Sequence, residues 1–156
     1  MRTGFLRKIS FADLTLLLRV APACTLGVSC ATPSQPQAIT VTGLDYAFQA
    51  PDSVNAGSAM VTFTNRGTVR HELYFVRLRL GRTLADFVRA TTVAERRALT
   101  DQSGSILVAE PGQSAASRLL VELTAGRSYA LLCFLRDTTD APQHVSLGMA
   151  RAVYAR

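Results

Sequence analysis

Leu119-Leu120-Val121-Glu122-Leu123-Thr124-Ala125-Gly126-Arg127-Ser128-Tyr129-Ala130-Leu131-Leu132-Cys133-Phe134-Leu135 is the stretch on which the fold turns. In its first part Leu119, Val121 and Leu123 alternate with Arg118, Leu120 and Glu122, the period-two pattern of a half-buried strand. Ala125-Gly126 reads as a turn. Ser128–Leu135 is then almost wholly apolar, as a central strand should be.

Working outward, the same grammar repeats. Ile39–Val41 and Leu44–Phe48 are β-rich and end at Ala50-Pro51-Asp52. Ala59–Thr64 alternates, with Val61 and Phe63 on one face, and Asn65-Arg66-Gly67 turns the chain. His71–Leu80 places Tyr74, Val76, Leu78 and Leu80 on one face and stops at Gly81. Ile106–Ala109 is a short strand closed by Pro111-Gly112, and Val145–Tyr154 is the last strand. Residues 83–99 change period: Leu84, Phe87, Val88, Thr91 and Ala98 recur at helical spacing behind Thr83 as N-cap. Thr92-Val93-Ala94-Glu95 is a capping box, which splits the segment into two short helices. Seven or eight short strands with one helical insertion and no repeats describe an all-β Greek-key sandwich.

The 156 residues hold 48% hydrophobic and 18% charged side chains, enough for a packed core in one domain. The net charge of +6 divides evenly: residues 1–30 carry +3, and residues 31–156 carry 13 Arg against 10 acids. Those arginines are scattered, without a basic run or interleaved aromatics, so nucleic-acid binding has little support. Residues 1–30 read as an export signal, with a basic start, an apolar centre at Leu14–Leu18 and small residues from Ala21 to Ala31. Leu26-Gly27-Val28-Ser29-Cys30 resembles a lipobox, giving a lipidated Cys30 and residues 31–37 as a flexible tether to a domain over 38–156. The alternative is cleavage at Ser29-Cys30-Ala31 and release of a protein without an anchor. The expectation is therefore a periplasmic or membrane-anchored bacterial lipoprotein, touching the membrane only through that anchor.

Either way Cys133 is the thiol left in the mature domain, in a compartment where lone thiols are uncommon unless buried or bound to metal. The chain has two histidines, His71 opening a strand and His144 following the most apolar one, and Met149 lies five positions beyond His144. A thiolate, two imidazoles and a thioether are the ligand types of a type 1 copper site, His2Cys with a weak axial Met. Glu72 and Asp140 are oxygen donors nearby and read as solvated charges. Singly, each of the four reads as an ordinary core or edge residue; together they point to metal.

Asn65-Arg66-Gly67-Thr68-Val69-Arg70-His71-Glu72-Leu73 resembles the turn-and-strand motif that carries the first histidine ligand of the cupredoxins. Gly126-Arg127-Ser128-Tyr129 leading to Cys133, then His144 and Gly148-Met149, resembles their C-terminal ligand segment. The resemblance covers roughly residues 38–154. It implies a cupredoxin-like sandwich binding copper through His71, Cys133, His144 and Met149 and passing single electrons to a redox partner protein, without enzymatic activity. Two features depart from the family: ten residues separate Cys133 from His144, and the helical insertion lies between residues 81 and 105. The polar, turn-rich loop Arg136–Pro142 can bulge outward and return His144 to Cys133. A cupredoxin-fold interaction module and a copper sequestration or delivery protein are the alternative functions. No serine triad, phosphate loop or CxxC pair competes.

Overall fold

Alternation along the chain produces two facing sheets in this computed structural model, which describes residues 35–102 and 104–156. The strands are β1 (Gln37–Leu44), β2 (Ala47–Gln49), β3 (Ser53–Val54), β4 (Gly57–Asn65), β5 (His71–Arg77), β6 (Ser105–Ala109), β7 (Leu119–Leu123), β8 (Arg127–Leu132) and β9 (Ala150–Ala155). One sheet runs β2-β1-β4-β7 and the other β3-β9-β8-β5-β6. β4 pairs with β7 while the intervening β5 and β6 pair with each other in the opposite sheet, which is a Greek-key connection. The ladder from β1 to β4 is parallel, Gln37 opposite Ala59 through Gly43 opposite Asn65.

The inward faces interdigitate between the sheets. Ile39, Val41, Ala59, Val61 and Phe63 meet Leu73, Phe75, Leu107, Tyr129, Leu131 and Val153, all buried. Sheet β3-β9-β8-β5-β6 is also covered on its outer side, where Val76, Leu78, Ala130 and Leu132 pack beneath Phe87 and Val145. β8 therefore has no wet face, and its sequence does not alternate.

That outer cover is the helical insertion, two short helices α1 (Leu84–Arg89) and α2 (Val93–Ala98). Each begins in a complete capping box, Thr83 with Asp86 and Thr92 with Glu95. Asp101 anchors the return, accepting from Arg77 at 2.6 Å and from Arg127. No helix among the described residues is long and apolar enough to cross a membrane.

Several elements differ from their sequence reading. Leu44–Phe48 is not one β-rich stretch, because a turn at Asp45-Tyr46 divides β1 from β2. β5 ends at Arg77, so Leu80 is 75% exposed and shares no face with Val76 and Leu78. The segment after the loop is not one strand: residues His144–Leu147 form a 3-10 turn and β9 starts at Ala150, because Gly148 at φ 110° reverses the chain. β1 begins at Gln37, inside the stretch assigned to a tether. The export signal and Cys30 lie outside the described residues.

Candidate metal centre

Four elements end at one pole of the sandwich. His71 is the first residue of β5, and Cys133 follows the last residue of β8. His144 opens the 3-10 turn, and Met149 precedes β9. The β8–β9 ladder carries on past its ends, with Cys133 N–H donating to Met149 O at 3.2 Å. Met149 N–H donates to His144 O at 2.9 Å. The long loop is pinched at its base: Val145 N–H reaches Cys133 O at 2.7 Å and His144 N–H reaches Leu135 O at 2.9 Å. The intervening residues bulge outward, and His144 returns beside Cys133.

The result is a convergence of three donor atoms. His71 Nδ1 and His144 Nδ1 stand 3.1 Å apart, with Cys133 Sγ 3.4 Å from His144 Nδ1 and 4.0 Å from His71 Nδ1. A triangle with these edges has its equidistant point about 2.1 Å from each corner, the bonding distance of imidazole nitrogen to a transition metal and slightly short for a thiolate. All three side chains are fully buried, as is Met149, which lies near His71. The tip of Met149 also packs toward Gly43 and Phe63. A thiolate with two imidazoles and a thioether close by is a soft donor set of the kind that suits copper.

Hydrogen bonds hold the donors rigid. Glu72 N–H donates to Cys133 Sγ at 3.4 Å, and Glu72 Oε1 accepts from Phe134 N–H at 2.8 Å, tying β5 to the cysteine turn. Glu72 is thus a brace and not a ligand, and Asp140 stays exposed in the loop. Buried Asn65 ties its turn together, donating to Val69 O and Ala109 O and accepting from Gly67 N–H. Gly67 is obligatory there: a β-carbon would overlap the Asp45 carboxylate and stand 2.9 Å from His71 Nε2.

Outside the donors stands a ring of groups that the sequence reading does not single out. His144 Nε2 lies 2.9 Å from Asp137 Oδ1, whose other oxygen accepts from Tyr46 O–H at 2.6 Å. His71 Nε2 is buried without a hydrogen bond among the described residues, its nearest carboxylate oxygen being Asp45 Oδ1 at 3.5 Å. Thr68 donates to both Asp45 oxygens and holds that carboxyl below its ordinary range. The Tyr46 hydrogen bond, then the one with His144, does the same for Asp137. Burial pushes the Cys133 thiol up to about 11, against the pull of the Glu72 and Leu135 amides. Burial also lowers His71, so its ring is neutral at pH 7. The sequence reading sets Asp45 and Tyr46 inside the β-rich stretch Leu44–Phe48 and Asp137 in the polar loop, and gives none of them a role.

No family model matches the chain, and no curated protein matches it. Among solved structures, the dithionite-reduced auracyanin of the photosynthetic bacterium Roseiflexus castenholzii is similar at 18% identity, with a TM-score of 0.51 over 79% of this chain and 99% of that one. Auracyanin B is similar at 17% identity, with a TM-score of 0.50 over 80% of this chain and 93% of that one. At these identities the likeness is one of fold. The chain has a cupredoxin-like fold.

Proposed function

We propose that this protein is an extracytoplasmic copper-binding cupredoxin that carries single electrons, in which His71, Cys133 and His144, with Met149, would hold the ion. The observation that carries the reading is the convergence of two Nδ1 atoms and one Sγ around one point, at bonding distance from both nitrogens and slightly short for the sulfur. Copper, when bound, supplies the change between two oxidation states one electron apart. The chain's part is to hold the donors fixed. His71 and His144 would offer their Nδ1 lone pairs, and Cys133 would bind as thiolate. The Glu72 amide then supports the sulfur charge, and the surrounding apolar core keeps water out. The dithionite-reduced state of the Roseiflexus auracyanin adds weight to a redox role. Full burial of all four residues favours retention of the ion over its delivery, which needs an open face. A redox partner protein follows from the carrier role, and catalysis of its own does not.

The test is a Cu(II) titration of the domain. A strong visible thiolate-to-copper charge-transfer band should grow to one equivalent and then vanish on reduction. Cys133→Ser should abolish it. An unchanged spectrum and affinity in that variant would sink the proposal, and loss of reversible cycling with intact Cu(I) binding would turn it toward copper delivery.

A further inference from the structure

Around the donors, the β1–β2 turn carries a residue its conformation disfavours. Leu44 pairs with Ala47, so the turn is only Asp45-Tyr46. Tyr46 occupies it at φ 62°, a left-handed conformation that bulky side chains rarely adopt. Such strain persists where the surroundings fix it, and it marks functional sites. Here it swings the Tyr46 ring edge-on over both histidines, 5.2 Å from the centre of His144 and 6.5 Å from that of His71. Its hydroxyl then grips Asp137 from the far side of the long loop.

We infer that Asp137, clasped by Tyr46, is a positioning residue for the metal: it fixes His144 with its proton on Nε2 and Nδ1 bare, and its charge favours the more oxidised ion. The inference rests on the copper reading above. His144 Nε2 can meet Asp137 Oδ1 only by donating to it, since a carboxylate is an acceptor alone. The opposite nitrogen, Nδ1, is the one that faces Cys133 and His71. His144 is buried while the Asp137 side chain is 31% exposed, so the carboxylate forms the outer wall of the site and the ring does not meet water. A carboxylate hydrogen-bonded to a ligand's far nitrogen raises the ligand's basicity and adds negative charge beside the ion. Both effects stabilise Cu(II) more than Cu(I) and lower the reduction potential. The length of the ten-residue loop between Cys133 and His144 thereby acquires a use, since it carries Asp137 out and over the ring.

Two measurements test this. Nitrogen NMR of the imidazoles in the metal-free protein should find His144 protonated on Nε2. Asp137→Asn should raise the potential of the copper-loaded protein and weaken Cu(II) binding by about 10–100-fold, with a smaller effect on Cu(I). Asp140→Asn, which removes the same charge from the same loop without touching a ligand, should leave the potential in place. A His144 proton on Nδ1, or equal shifts in the two variants, would overturn the inference. A wild-type protein without a charge-transfer band would instead sink the copper reading, and the NMR result would still decide the role of Asp137.

Discussion

Cys133 sits with no solvent access and a thiol pushed up to about 11, so in the metal-free protein it keeps its proton at every physiological pH. The folded thiol binds its proton more tightly than an unfolded one does, whose ordinary value is 9.0. That preference stabilises the fold below pH 9 and disappears as pH rises through 11, amounting to about 3 kcal/mol at most. Urea midpoints of the metal-free domain should therefore fall between pH 9 and 11, and those of Cys133→Ser should fall less, since Tyr46, raised by its bond to Asp137, titrates in the same range. The cluster of His71, Cys133 and His144 was legible in the sequence, because thiol and imidazole are scarce residue types whose spacing carries information. Asp45, Tyr46 and Asp137 were not. Tyr46 and Asp137 meet across 91 positions, and in the sequence all three are ordinary polar residues of a β-rich stretch or a loop.

At the level of elements, the helical insertion is a lid on a sheet as well as a departure in length. Phe87 is the one buried side chain of its two helices and reaches the outer face of β5 and β8. Phe87→Ala should destabilise the domain by about 3–5 kcal/mol, read from denaturant unfolding, and leave the copper spectrum intact because the donors lie on the other face. The insertion was readable because two capping boxes and a 3.6 period coincide. The strands were readable where one face is wet. β8 was readable as a central strand from its apolar run, but what covers its outer face was not. The element that misled is the one after His144, where apolar residues at 145 and 147 suggest a strand and Gly148 at positive φ breaks it. Leu80 misled for a related reason, since alternation in sequence outlasts pairing in the sheet.

For the whole molecule, metal and fold are linked by mass action. Copper that binds only the folded domain should, at one hundred times its dissociation constant, add about 2.7 kcal/mol and raise the melting temperature by roughly 10 °C. Stripping it with a chelator should return the melt to the metal-free value, measured by calorimetry on the same sample.

The clasp between Tyr46 and Asp137 also sets an order of events. Bringing residues 91 positions apart into contact costs about 2 kcal/mol more entropy than closing a ten-residue loop. A local hairpin such as β1 with β2 is reached sooner on the way to the native state. The cluster of His71, Cys133 and His144 likewise needs β5 and the segment beyond β8 to have met. The metal centre therefore depends on non-local pairing, and its presence records that the first hairpin and the segment after β8 have both arrived.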